Sequence, residues 1–342
     1  MTTLADLTTL RLGGPAARLV VAEDERTLVD AVREADASGL PALVVAGGSN
    51  LVVADSGYPG TVVLVRTTGV AVESDLCGGA YVTVAAGEEW DSFVQRAVAE
   101  EWAGIECLSG IPGSVGATPV QNVGAYGQEV GSSLARVRTF DRIAGVQRTF
   151  MHADLGLGYR TSLLKQEPGH HLVLDVTFQL GHSGTGTPIA YAELARSLGV
   201  EVGARAPLAD VRAAVLDLRR SKGMVLDAAD HDTWSAGSFF TNPLLAADDA
   251  ARLPADAPRW PADGDRVKTS AAWLIEHAGF AKGYGDGPAT LSTKHTLALT
   301  NRGAARTDDV LALARVVRDG VRDRFGVTLE PEPVLVGCSL DG

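Results

Sequence analysis

The chain has 342 residues, a formal net charge of −12 and three cysteines. That length allows two or three domains with a substantial core. An acidic balance without a basic block argues against nucleic acid as a partner. Cys77, Cys107 and Cys338 are far apart and form no CxxC, which fits a reducing cytosol and small core fillers rather than a disulfide framework or metal site. No pair among the seven histidines has helical metal-ligand spacing beside acids, so no metal is expected. Met1–Asp6 has no basic start, and no apolar run approaches membrane-spanning length, so a cytoplasmic protein is expected.

The elements alternate at first. Arg18–Val21 reads as a strand. Asp24–Ser38 reads as a helix with Leu28, Val29, Val32 and Ala35 on one face and Gly39 as C-cap. Ala42–Val45 and Thr61–Val65 are β-rich runs. Tyr81–Ala85 opens a second region, followed by a helix near Glu88–Trp102 and strands at Leu134–Asp141, Gln147–Phe150 and His171–Leu180. Leu208–Lys222 carries an apolar stripe whose C-terminal end is loaded with Arg219, Arg220 and Lys222. Leu245–Gly264 is rich in Ala, Asp and Pro and reads as a surface excursion; Ser270–Ala278 and Asp308–Arg324 read as helices and Leu297–Thr300 as a strand. The mixture predicts an α+β fold.

Two glycine-rich stretches stand out. Ser109–Gly131 has glycine at 110, 113, 116, 124, 127 and 131, and Ala46–Leu51 reads AGGSNL. Such backbone can approach a large flat or anionic ligand closely, which points to a nucleotide-containing cofactor. Neither stretch is a GxGxxG fingerprint or a Walker loop. Other residues are ambiguous alone. Arg160 offers a planar fork for a carboxylate or phosphate, or a surface ion pair. Ser238 lies between Gly237 and Phe239–Phe240, a polar hydroxyl beside bulky apolar groups or a turn or cap serine, and Glu332 sits between two prolines as a loop acid or a functional one. Lys222 suits a diphosphate or a helix dipole, and Tyr126 and Tyr191 suit a ligand or packing. His295 either lines a site or sits exposed on an edge.

In this order the pieces LRLGG, AGGSNL, IPGSVGATPVQNVGAYGQEV, GYRTSLLK, GSFFTNP, KTSAAWLIEHAGF, KHTLALTN and LEPEPVLVG span nearly the whole chain. The ordered set resembles the UDP-N-acetylenolpyruvoylglucosamine reductase family, in the subtype with a tyrosine-bearing loop. The resemblance implies an FAD-binding half of the vanillyl-alcohol-oxidase/PCMH type and a C-terminal substrate domain. Its division would be 1–67 and 68–206 as two FAD-binding subdomains and 207–327 as the substrate domain, with 328–342 packing on the first. Non-covalent FAD would lie on Gly47, Gly48, Ser49, Asn50, Leu51, Pro112, Gly113, Ser114, Gly116, Ala117, Thr118, Pro119, Asn122, Gly124 and Ala125. Arg160, Ser238 and Glu332 fall on catalytic positions, and Tyr126, Tyr191, Lys222 and Asn242 on substrate positions.

The implied reaction is NADPH-dependent reduction of UDP-N-acetylglucosamine enolpyruvate to UDP-N-acetylmuramate in peptidoglycan precursor synthesis. Hydride would go from flavin N5 to the enolpyruvyl group and the proton would come from Ser238. Arg160 and a protonated Glu332 would stabilise the developing enolate. Three polar groups from distant stretches need a folded cleft between domains to unite them. A monomer is expected. Two rival readings use the same features. One is a sugar or alcohol oxidase with histidine-tethered flavin, although no histidine precedes His152. The other is a sugar-nucleotide sensor without turnover.

Overall fold

The computed structural model describes residues 2–75, 79–262 and 264–341; Cys77 lies outside them. The chain divides into two compact units. The first comprises Ala17–Gly47 and Pro59–Ser221; the second comprises Met1–Ala16, Gly48–Tyr58 and Lys222–Gly342.

In the first unit, the punctuation read from the sequence sets the opening helix, Glu25–Ser38. The Asp24 carboxylate accepts the Thr27 N–H at its start, and Gly39, at φ 69°, closes it in the left-handed region. Leu28, Val29, Ala31, Val32 and Ala35 form its buried face. A three-stranded sheet accompanies it, with Tyr58–Val65 between Ala16–Ala22 and Ala42–Val45. The strands Ala42–Val45 and Thr61–Leu64 run parallel, so a crossover joins them.

The main sheet of this unit is antiparallel. Its order is Val146–Met151, Leu134–Asp141, His171–His182, Gly79–Ala85 and Val70–Asp75, with Trp102–Ala103 pairing the end of the central strand. The register aligns Val137 with Val176 and Val176 with Val84, so the period-2 apolar positions stack on one buried face. Trp90 and Phe93 of helix Trp90–Ala99 meet Phe178 there, with ring centroids 5.8 Å and 5.2 Å away. That helix ends before Trp102 because Trp102 instead pairs with His182.

Helix Leu208–Ser221 also packs in the first unit. Val211 and Val215 are buried with Ile189, Leu194, Ala195 and Cys107. The unit boundary therefore falls after Ser221 rather than at residue 207, because the apolar stripe of the helix finds its partners upstream.

The second unit is built around helix Thr307–Phe325, whose Val310, Ala314, Val317 and Val321 are buried with Leu274, Ile275, Phe239, Phe240, Leu291 and Leu299. The stretch expected as a surface excursion contributes short strands. Leu244–Ala246 and Arg259–Pro261 flank Arg266–Thr269 in an antiparallel sheet. The Arg259 guanidinium holds the intervening turn by donating to the carbonyls of Ala250, Leu253, Pro254, Ala255 and Ala257. Near the chain's end, Val334–Val336 pairs in parallel with Leu51–Val53.

Candidate active site

The glycine-rich segment of the first unit docks on residues 86–90. The N–H of Trp90 donates to the Gly113 carbonyl, that of Val115 to Glu88, and that of Gly116 to Ala86, at 2.9–3.1 Å. Gly47 abuts this segment: a Cβ built on it would lie 2.5 Å from the Cα of Gly113. Here glycine is required by close approach, since the two cradles touch backbone to backbone. Gly48, at φ 60°, turns the chain into Ser49, Asn50 and Leu51, which belong to the second unit.

Polar side chains of the segment divide into two kinds. Thr118 donates its hydroxyl to the Val115 carbonyl, and the Asn122 amide donates to Glu129 and Gly158 while accepting the Gly131 N–H. These two hold the loop itself. Ser114 is different: it is 4% exposed and its Oγ has no protein partner. Leaving a buried hydroxyl unpaired costs about 1–3 kcal/mol, so a ligand atom is the natural complement.

Among the described residues five non-glycine positions have positive φ, and three are predicted site residues: Asn122 at 46°, Tyr126 at 50° and Arg160 at 53°. Left-handed side-chain-bearing residues store strain and cluster where function over-determines the backbone. Arg160 donates through Nη2 to the Gly124 carbonyl (3.1 Å), while Lys165 Nζ holds the Arg160 carbonyl (2.9 Å). Its guanidinium is therefore fixed against the glycine-rich segment. The Tyr126 ring meets the Tyr191 ring edge to face, 5.6 Å apart at 89°.

Burial pushes the Tyr126 phenol up to about 12 and the Arg219 guanidinium down to about 10; the two groups partly offset each other's shift. Asp91 lies close enough to bear on Arg219 and is itself gripped by Arg212 at 2.6 Å and 2.9 Å and by the Gly110 N–H at 2.6 Å. Burial alone would raise the Asp91 carboxyl, but these donors hold it below the usual range. The sequence marked Arg219 only as part of a basic helix end; nothing in it pointed to Asp91.

In the second unit, the stretches carrying Ser238 and Glu332 are joined through backbone. The Glu332 N–H donates to the carbonyl of Phe239 (2.8 Å), the residue after Ser238, and Phe239 N–H donates to Leu297 (2.7 Å). Asn50 Nδ2 donates to the Glu332 carbonyl (3.3 Å), and the Val334 N–H donates to the Asn50 carbonyl. Asn242 accepts the Ala271 N–H through Oδ1, at the start of helix Ala271–His277. Lys222 is half-buried just after helix Leu208–Ser221, and the His295 N–H donates to Ser292.

Asp141, His170 and His171 also offer ligand atoms within 4.8 Å of one another. The two imidazoles are stacked 4.0 Å apart at 16°, so their nitrogen lone pairs run side by side rather than converge on an ion. Asp141 is also paired with Arg148 at 2.9 Å. The group is a hydrogen-bonded bracket in which His170 Nε2 meets Asp141 and His171 Nε2 meets Glu167, where the register sets Asp141 opposite His171.

Residues 16–149 match the model of the FAD binding domain, and residues 228–336 match that of the UDP-N-acetylenolpyruvoylglucosamine reductase C-terminal domain. The chain is 56% identical over 340 residues to UDP-N-acetylenolpyruvoylglucosamine reductase of Cutibacterium acnes, spanning 98% of this chain and 90% of that one. The chain belongs to the UDP-N-acetylenolpyruvoylglucosamine reductase family. A second member, from Saccharopolyspora erythraea, is 57% identical over 349 residues, covering 98% and 95% of the two chains. The crystal structure of UDP-N-acetylenolpyruvylglucosamine reductase from Thermus caldophilus is similar with a TM-score of 0.67 and 27% identity, over 98% of this chain and 97% of that one. The expected α+β fold with an FAD-binding half is thus borne out. The FAD-binding match covers Gly47 and the whole glycine-rich segment. The orphaned Ser114 hydroxyl and the backbone-to-backbone contact of Gly47 with Gly113 fit that group. Among the described residues no helix is long and apolar enough to cross a membrane.

Proposed function

We propose that the chain reduces UDP-N-acetylglucosamine enolpyruvate to UDP-N-acetylmuramate with NADPH, using Arg160, Ser238 and Glu332 at the reacting centre. The observation that carries the residue assignment is the joining of Ser238 and Glu332, from distant stretches, on one hydrogen-bonded backbone frame. FAD, when bound, supplies the two-electron hydride carrier between the nicotinamide and the sugar nucleotide. Gly47, Gly48, Ser49, Asn50, Leu51 and the Pro112–Ala125 stretch would hold it, with the Ser114 hydroxyl as one polar contact.

The protein's own chemistry concerns charge and a proton. Hydride addition to the terminal enolpyruvyl carbon leaves negative charge on its neighbour, which must spread into the carboxylate. Arg160 takes that carboxylate in a fork of N–H donors, and its fixed position on the Gly124 carbonyl means little reorganisation as charge grows. Glu332, protonated, donates to the same enediolate; ionised, it would repel it. Ser238 then gives its hydroxyl proton to the carbon, a step that a basic carbanionic centre makes favourable. Tyr126, Tyr191, Lys222 and Asn242 bind the nucleotide part, using remote contacts to align the reacting carbons. The neutral Tyr126 phenol, kept so by burial, is a donor suited to an anionic diphosphate. The reading includes a cytoplasmic monomer.

The test is spectroscopic. Purified protein under nitrogen should be yellow, bleach on NADPH and regain colour on adding the enolpyruvyl sugar nucleotide. Bleaching without recovery would favour a sensor that lost turnover. Flavin that stays with acid-precipitated protein would favour a tethered oxidase.

A further inference from the structure

The segment leading to Tyr191 is anchored along its length within the first unit. Gly186 and Ile189 donate their N–H groups to the carbonyls of Ala206 and Ala204, and Gly203 donates back to Ile189, at 2.8–2.9 Å. Ile189 is 1% exposed, whereas Tyr191 is 46% exposed. Thr187, between these anchors, turns instead to a buried acid. Its N–H and its hydroxyl both donate to Oε1 of Glu106, at 2.7 Å and 2.9 Å. Glu106 is fully buried, and its Oε2 accepts the Gly104 N–H at 2.7 Å. Gln128 closes the figure: its Nε2 donates to Thr187 Oγ1 (3.1 Å) and its Oε1 accepts the Cys107 N–H (2.8 Å).

A carboxylate out of contact with water is costly, and such groups persist where their acceptors are needed in place. Here they reach two regions at once. Gln128 stands two residues after Tyr126, and Thr187 stands four before Tyr191, whose rings meet edge to face. We infer that Glu106, Gln128 and Thr187 form a positioning brace that sets the Tyr191 loop against Tyr126 and thereby fixes the affinity for the nucleotide sugar. The inference rests on the reading that these tyrosines bind substrate. The three residues touch no reacting atom; they act through the loop.

The experiment uses FAD-loaded full-length protein and the variants T187V, T187S and Q128M. Hydrogen exchange of residues 185–191 is measured without substrate, calorimetric affinity for UDP-N-acetylglucosamine enolpyruvate is measured with it, and KM is separated from kcat. T187V removes the hydroxyl at nearly constant volume. It should speed exchange across 185–191 and raise both Kd and KM about tenfold, with kcat within about twofold of wild type. T187S, which keeps the hydroxyl, should restore the affinity. Q128M removes the amide bridge and should shift exchange and affinity in the same direction, and it carries the test should T187V fail to fold. Faster exchange with unchanged affinity would overturn the inference, leaving a merely structural contact, as would no change in either. Wild-type protein that fails to bind the sugar nucleotide would instead overturn the functional reading itself.

Discussion

Replacing Gly47 by alanine tests how closely the two glycine-rich cradles must meet. Gly47 has no positive φ, so alanine meets no backbone penalty there and the perturbation is steric alone. The new Cβ would sit 2.5 Å from Gly113 Cα, whereas ordinary contact begins at 3.4 Å, so the backbones must part by about 0.9 Å. Overpacking of this kind costs about 1–3 kcal/mol. At 1.4 kcal/mol per tenfold, that is roughly a 5- to 150-fold effect on any equilibrium that needs the cradles together. Gly113 accepts from Trp90, so its retreat also strains the docking of the segment on residues 86–90. The assay is titration of flavin-stripped protein with FAD, followed by fluorescence, alongside thermal unfolding by circular dichroism. We expect the FAD Kd to rise about tenfold or more and Tm to fall by about 2–4 °C per kcal/mol expressed as stability. Gly181→Ala is the control, because nothing lies within 4 Å of its Cβ. A G47A protein matching the control in both measurements would refute the steric argument.

Other outcomes follow from the same geometry. Ser238→Ala should leave NADPH-dependent flavin reduction intact and slow reoxidation by the sugar nucleotide by about 10²–10⁴-fold; equal losses in both half-reactions, measured by stopped flow, would contradict a proton-donor role. Arg212→Met should destabilise the protein by about 1–3 kcal/mol at pH 7, since it leaves the half-buried Asp91 without its two charged bonds. The Asp91 carboxyl is held below its ordinary range, so its contribution is present above about pH 4 and is lost as pH falls through the depressed folded value. The stability gap between R212M and wild type in urea should therefore narrow at pH 3; a gap of equal size at both pH values would refute the assignment. Ultraviolet titration should show the tyrosine missing from Tyr126→Phe ionising only near pH 12, and a difference appearing at pH 10 would mean that the ring is not buried as described.

Much of the fold is legible because local signals agree with tertiary ones. Asp24 and Gly39 bound a helix whose apolar face is complete, so capping and burial demand the same limits. The ordered motifs made the family legible as a set spanning nearly the whole chain, and in the two glycine-rich stretches Gly47, Gly48 and Gly116 stand where a Cβ would collide with backbone. What escaped is pairing at a distance. Val70–Asp75 is an edge strand with exposed valine and alanine, so it lacks the alternation that marks a strand half-buried in a sheet. The stripe on Leu208–Ser221 announced a helix but not that its partners lie upstream. Glu106 between isoleucine and cysteine gives no sign that it is fully buried, since its partners Thr187 and Gln128 come from elsewhere in the chain. Asp141 and His171 likewise meet only through strand register.

The flanking residues of Ser238 and Glu332 explain how the two stretches are held in one frame. Pro331 and Pro333 carry no N–H, so across that stretch only the Glu332 amide can donate, and it donates to the Phe239 carbonyl. A slip of one residue in either direction would put a proline opposite that acceptor and lose the bond, so the pairing has one register. Phe239 and Phe240, each 1% exposed, sink the neighbouring strand into the core of the second unit and leave Ser238 less buried beside them. The run of serine followed by two phenylalanines is then a polar group on an apolar anchor, and the two prolines act as the register stop for the acid opposite. Asn50 adds a third point by donating to the Glu332 carbonyl while accepting from Val334, which extends the acid's frame into the parallel pairing of Leu51–Val53 with Val334–Val336. The proton-donor role proposed for Ser238 requires geometry fixed beforehand, and in this frame backbone hydrogen bonds and buried rings, rather than the two polar side chains, do the fixing.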